Sequence, residues 1–264
     1  MKTGSNWQRP LSRFAALLSL GGIVAALVAS VGSGMGLWHF RVGFGVLRYA
    51  FYAAAAGGVL ALVGLVAGLA RTRAVGKLNL LSFVAALLFS AYLLQLVATA
   101  RSVPAIHEAT TNLDDRPAFT ALRLRPDYLE KVPHEGRPEL ARLDPESRWK
   151  AIHRRDYADL VTLRVPGGIA ETTDRAAALA RSRGWDIARV DRNAGIVEAT
   201  ATSFFFRFKD DVVVRVRPDP ARPGGSLVDM RSISRVGGSD VGVNARRIRA
   251  FLADLQANAA PQSP

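Results

Sequence analysis

Met230–Ile248 reads MRSISRVGGSDVGVNARRI. Residues up to Ser234 belong to a strand pattern, SLVDMRSIS; those from about Asp240 belong to a helix running to Asn258. Ile248, Phe251, Leu252 and Leu255 give that helix one apolar stripe. Between the two lie Gly237, Gly238 and Gly242, with Arg231, Arg235, Asp240 and Asn244 set around them. A strand that hands over to a helix through so many polar groups marks the last corner of a compact domain, and the rest of that domain is legible upstream.

Working back from this corner, Val212–Arg217 reads as a strand, entered through a turn at Lys209–Asp211 and left through Pro218–Gly225. IVEATA and WDIARVD are two more strands, separated by a turn at Asn193–Gly195. IAETTDRAAALARSRG is a helix, with acids early, arginines late and Gly184 at its end. YADLVTLRV alternates, placing Val161, Leu163 and Val165 on one face of a strand. The order is strand, helix, four strands, helix. Short turns between consecutive strands imply an antiparallel sheet, and two amphipathic helices can cover one face of it. The expected fold class is α+β, a two-layer domain over residues 157–258 with the final helix lying across the sheet in a helix-grip-like manner.

Before this domain, residues 101–156 carry Pro104, Pro117, Pro126, Pro133, Pro138 and Pro145, which exclude one long helix and read as an extended connector, with room for short helical turns near Pro145–His153. Residues 259–264 read as a disordered tail. Residues 1–100 have another character. They contain eight basic residues and no acid, and three uncharged apolar runs, Phe14–Leu37, Tyr49–Ala70 and Leu78–Ala100. Each is long enough for a hydrocarbon core of about 30 Å, which needs roughly 20 helical residues. Three transmembrane helices are therefore expected, with Gly57, Gly64 and Gly68 at the small-xxx-small spacing that lets helices of one chain approach.

The net charge of +13 belongs largely to those spans and is read as topology. Lys2, Arg9 and Arg13 precede the first span, and Arg71, Arg73 and Lys77 crowd the second loop; Arg41 and Arg48 lie about the first loop. Positive residues stay cytoplasmic. The expected location is a bacterial inner membrane, with the N-terminus cytoplasmic and everything after Arg101 periplasmic. VAS at Val28–Ser30 leaves open cleavage of the first span as a signal peptide. The span interiors carry no Asp, Glu, Lys or His, which argues against a pump or channel. Cysteine is missing, so an exported domain relies on its core.

GWDIARVDRNAGIVEATATSFFFRFKDDVVVRV followed by VDMRSISRVGGSDVGVNARRIRAFL resembles the domain-of-unknown-function family 1499, found in bacteria and plants. Arg231, Ser232, Ser234, Arg235, Gly237, Asp240, Gly242, Asn244, Arg247 and Ile248 carry the likeness. PAIHEATTNLDDRPAF resembles the lead-in of membrane-anchored bacterial members, so the likeness covers roughly residues 104–257. The resemblance implies fold and placement and no activity.

Two readings of the polar run stand side by side. In one it is a latch: Ser239 or Asp240 caps the helix, and Arg231 and Arg235 pair with Asp229, Asp240 or Glu198. In the other, Arg231, Ser232, Ser234, Arg235, Asp240, Asn244 and Arg247 line an anion site at a helix N-terminus, suited to a phosphate, carboxylate or lipid headgroup.

Catalytic signatures are weak. His39, His107, His134 and His153 are dispersed, without the i, i+4 spacing of a helical zinc motif. There is neither a GxSxG elbow nor a cysteine nucleophile, and Asp210–Asp211 reads as a turn. No catalytic residue, metal or cofactor is assigned. In SFFFRF, Phe204, Phe206 and Phe208 are expected in the core, with Phe205, Arg207 and Lys209 as an alternative apolar-basic edge facing lipid headgroups or a partner. The modest excess charge on the exported part argues against nucleic acid as a partner. The expected function is an integral membrane protein whose exported domain binds an anionic or amphipathic envelope ligand, such as an anionic lipid, or an envelope protein. An enzyme of envelope lipids or glycans using Asp229, Asp240 or Glu198, and a membrane scaffold that oligomerises, are the alternatives.

Overall fold

The computed structural model of the chain describes residues 7–72, 76–130 and 132–259. Lys2, Arg73 and the tail from residue 260 lie outside the described residues. Two compact units are present: the three N-terminal helices together with Phe204–Arg207, and the chain from Ala100 onward without that segment.

In the first unit α1 (Gln8–Gly34), α2 (Phe40–Thr72) and α3 (Lys77–Ser102) are each long and apolar enough to cross a membrane. The chain is accordingly a membrane protein. Small residues decide how the helices meet. A Cβ on Gly22 of α1 would come within 2.8 Å of the Ala50 carbonyl of α2. Gly57 faces the Ala15–Ser19 turn of α1, while Gly58 faces Ala86 and Gly64 faces Asn79 on α3. The expected role of Gly57 and Gly64 is thereby realised within one chain. Ser19 and Ser30 donate their hydroxyls to the Ala15 and Ala26 carbonyls at 2.8 and 2.7 Å. These bonds satisfy polar groups that lipid could not.

The second unit is an α+β domain. Its elements are β1 (Glu108–Thr110), α4 (Pro138–Ala141), α5 (Pro145–Asp156), β2 (Leu163–Pro166), α6 (Ile169–Ser182), β3 (Asp186–Asp191), β4 (Ile196–Thr202), β5 (Lys209–Pro218), β6 (Gly225–Ser234) and α7 (Val243–Ala257). The sheet is antiparallel in the order β1-β6-β5-β4-β3, and β2 pairs the other end of β6. β6 is therefore the central strand: β5 runs along one side, β2 meets residues 225–228 and β1 meets residues 231–233 on the other. From β2 to α7 the order is the strand, helix, four strands and helix read from the sequence.

The two faces of the sheet differ in chemistry because side chains alternate along a strand. One face is apolar. Val197, Val212, Val214, Val216, Val228 and Met230 meet Ala176, Ala177 and Ala180 of α6 and Ile248, Phe251 and Leu255 of α7. Trp185 stacks on Phe251 with ring centroids 5.3 Å apart. The alanines let α6 lie close, and the larger α7 side chains fill the centre.

The other face carries charge. Glu198, Asp211, Asp229 and Arg231 are buried on it, covered by the Pro-rich segment after β1. Residues 101–156, expected as an extended connector with short helical turns near Pro145–His153, contribute β1 and two helices and bury Ile106, Ala109, Trp149 and Ile152 in the domain core. Pro145 sits in the first turn of α5, where its missing N–H costs nothing, and Asp144 caps the helix by accepting from the amides of Glu146 and Ser147.

Three local readings are corrected. Val161 is 61% exposed in the turn before β2, which begins at Leu163. Tyr157 and Leu160 take the buried places there. Lys209–Asp211 is not a turn but the start of β5, because partners for both carboxylates lie on either side of the sheet. Phe204 is 84% exposed, and Phe206 and Phe208, half-buried, are outside the domain core with it; Phe204–Arg207 form a tip between β4 and β5.

Candidate functional site

The polar run begins on β6. Arg231 points to the charged face, where its Nε donates to Glu108 Oε1 at 2.8 Å and Nη1 to the Pro117 carbonyl at 3.3 Å. Phe119 and Tyr128 flank the guanidinium, 5.5 and 5.8 Å from its centre, so the charge is enclosed by rings and carboxylate. Arg116 adds a second cation to Glu108 at 3.4 Å. Arg235, one residue beyond β6, forks onto Asp211 at 2.7 and 2.9 Å and reaches Thr200 Oγ1 at 3.0 Å. Thr200 itself donates to Asp211 at 2.8 Å. The paired carboxylate raises the Arg235 guanidinium pKa above its usual value.

Ser232 and Ser234 point to the opposite, α7 side. Ser232 Oγ donates to Asn244 Oδ1 at 2.6 Å. Asn244 Nδ2 donates to Ser234 Oγ and to the His107 carbonyl at 3.0 and 2.9 Å. Arg247, one turn along α7, donates to Asp210 Oδ2 at 2.6 Å and to Ser232 Oγ at 2.9 Å. The two adjacent aspartates of β5 thus serve opposite faces: Asp211 holds Arg235 and Asp210 holds Arg247.

The helix entrance departs from a simple cap. Gly242 occupies the N-cap position in the left-handed region at φ 71°, and Val241 before it has φ 54°. A branched side chain resists that conformation. What holds it is Asp240, whose carboxylate accepts from the amides of Gly242 at 2.8 Å and Asn244 at 2.6 Å. Desolvation raises the Asp240 carboxyl above the ordinary range, opposed by those two amide bonds. Of the expected caps, Asp240 bonds the helix amide and Ser239 bonds the amide of Val241.

All seven expected site residues therefore converge at one corner, but on two faces of the sheet. The expected ion-pair partners were wrong. Asp229 takes Arg215 and Arg217 at 3.0 and 2.6 Å and the hydroxyl of Thr162 at 2.6 Å. Glu198 accepts from Thr120, Ala121 and Leu122 of the facing segment. Burial works to raise the Glu198 carboxyl, and those donors hold it below its usual range. The residues that sequence reasoning missed are Glu108, Asp210 and Asp211. Glu108 stood in the lead-in PAIHEATTNLDDRPAF, whose likeness to the same family was the available signal. Among the described residues no three His, Asp or Glu side chains converge as a metal would require.

An open cleft of about 760 Å³ lies elsewhere in the same domain, between the segment after β1, the end of α5 and β2. Arg154, Arg164 and Arg217 line it with the apolar side chains of Leu160, Val161 and Leu227. His153 is 1% exposed in its wall; its Nε2 accepts from the Thr110 amide at 3.1 Å, and its Nδ1 has no hydrogen-bond partner. Burial pushes the His153 pKa down to about 4, so the ring is neutral at pH 7.

A family model described as "Protein of unknown function (DUF1499)" matches residues 109–255, more than half of the chain. No curated protein matches it.

Proposed function

The chain belongs to the DUF1499 family, and from that premise we propose that it is a membrane-anchored binding module of the bacterial envelope. The helices α1–α3 hold it in the inner membrane with the N-terminus cytoplasmic, and the α+β domain faces the periplasm. One observation carries this reading: residues 1–100 contain no acid, and their basic residues crowd the N-terminus and the α2–α3 loop. Basic loops are retained on the cytoplasmic side, which sends the end of α3 outward.

The domain's role in this reading is to receive an anionic amphiphile, such as an acidic lipid, in the cleft beside α5. Three partly exposed arginines, each also facing an aspartate (Asp114, Asp219 or Asp229), and an apolar wall support that class of ligand. The run from Arg231 to Arg247 acts as a latch between β6, α7 and the covering segment. Arg231 is buried against Glu108 and Arg247 largely covered against Asp210, whereas Arg154, Arg164 and Arg217, though each also faces an aspartate, keep their guanidinium groups partly open to solvent, which supports assigning the ligand to the cleft instead.

Gentle extraction of the full chain, followed by quantitative analysis of bound lipid, tests the role. The expected result is one acidic amphiphile in stoichiometric amount, lost in an Arg154→Glu, Val161→Ser variant whose circular dichroism is unchanged. Both side chains are exposed, so the variant perturbs the cleft and little else. Lipid content no greater than that of an unrelated three-helix protein contradicts it, as does bound amphiphile that the variant retains.

A further inference from the structure

The tip Phe204–Arg207 is unusual for a hairpin end. Turns favour Gly, Asn, Asp and Pro, whereas this one holds three consecutive phenylalanines and an arginine. Its base is closed by two bonds, from the Ser203 amide to the Phe208 carbonyl and from the Phe208 amide to Ser203 Oγ, both 2.8 Å. Phe204 and Phe205 meet edge to face, with centroids 5.1 Å apart, and stand exposed at 84% and 41%. Leaving such rings in water forgoes the favourable burial of their apolar surface.

The tip belongs to the helical unit. Phe206 lies 4.8 Å from Phe44 in the first turns of α2, and Phe44 continues through Phe40 to His39 at 5.8 and 4.3 Å. These residues sit where α1 ends and α2 begins. An α1 of 27 residues is about 40 Å long at 1.5 Å per residue, so its ends extend past a hydrocarbon core of about 30 Å. The α1–α2 end of the bundle is thus at headgroup depth. Met35 and Leu37 are exposed in that same connection. Aromatic side chains with a nearby cation are suited to this depth, where rings sink toward the acyl chains and a guanidinium stays among phosphates.

We propose that Phe204 and Phe205 dip into the interface of the bilayer that α1–α3 span, with Arg207 at the headgroups. Phe204–Arg207 then add a membrane contact to the helical unit besides its three spans. This rests on the helices spanning the bilayer and not on which side the domain faces.

The chain has no cysteine, so a single introduced thiol can be labelled alone. Phe204→Cys, Ala221→Cys and Leu62→Cys are made in the full chain, labelled with a polarity-sensitive dye and reconstituted in phosphatidylethanolamine–phosphatidylglycerol vesicles. Ala221 is an exposed residue at the opposite end of β5, and Leu62 is exposed midway along α2. The proposal expects blue-shifted emission at position 204 and quenching by shallow nitroxide lipids severalfold greater than at 221, with deep nitroxides quenching at 62. A dye at 204 that matches 221 while 62 is quenched overturns the tip assignment alone. Unquenched dye at 62 removes the spanning helices and the tip assignment together. Thiol crosslinking between chains at 204, without lipid quenching, overturns it in favour of a second copy of the chain.

Discussion

Arg231 on β6 and Glu108 on β1 lie 123 positions apart and meet through a 2.8 Å bond, both buried on the charged face of the sheet. The pair fastens the segment after α3 to the central strand, so the chain preceding β2 is part of the domain's fold. Removing one partner strands a buried charge, which costs about 3–5 kcal/mol. Arg231→Ala or Glu108→Ala is expected to lower the unfolding temperature of the extracted protein strongly. An Arg231→Met, Glu108→Leu double variant is expected to recover much of that loss. A cycle in which the losses simply add would mean the two side chains do not act as a pair.

Arg235 separates the latch from a binding site. Its guanidinium forks onto Asp211, which is almost wholly covered. Arg235→Ala is expected to destabilise the domain by about 1–3 kcal/mol through the unpaired carboxylate. Denaturant unfolding checks this. Unchanged stability accompanied by loss of the protein's effect in cells would make Arg235 a ligand contact.

Asp240 supplies both acceptors that fix the start of α7. Asp240→Ala is expected to cost about 1–2 kcal/mol, as loss of a helix cap does. Amide exchange should accelerate first at Gly242 and Asn244. Protection there equal to the parent protein would show that the positive-φ turn at Val241 holds itself.

Two buried histidines give the domain a pH dependence. Burial pushes His153 down to about 4, and burial with the nearby Arg125 does the same to His107. The folded protein keeps both neutral while the unfolded chain protonates near 6.5, so the unfolded state binds more protons between those values. Stability is expected to be full above pH 6.5, to fall as the pH drops toward 4, and to level off below. His153→Gln, which keeps an acceptor for the Thr110 amide, should flatten part of that slope. A parent protein whose stability is flat from pH 7 to 4 contradicts the assignment.

Much of this architecture was legible because it rests on local pattern. The alanines of α6 and the Ile248, Phe251, Leu252 and Leu255 stripe of α7 declare their faces by period, and both helices form. What escaped reading depends on distant partners. β1 is three residues long, and nothing in Glu108–Thr110 signals a strand until β6 is beside it. Asp210–Asp211 has turn chemistry, yet Arg235 just beyond β6 and Arg247 on α7 turn it into a strand start. Phe204 carries every mark of a core residue except a place in the core. Of the polar corner, the participating residues were legible from the resemblance, whereas their carboxylate partners were not, because ion pairing across 123 positions leaves no local trace.

Which side of the membrane the α+β domain faces is measured directly by a reporter fused after Pro264. Alkaline phosphatase in that place should be active, and a green fluorescent protein dark, as expected for a periplasmic carboxyl terminus. A bright fluorescent fusion with inactive phosphatase would put the α+β domain in the cytoplasm and contradict the envelope function.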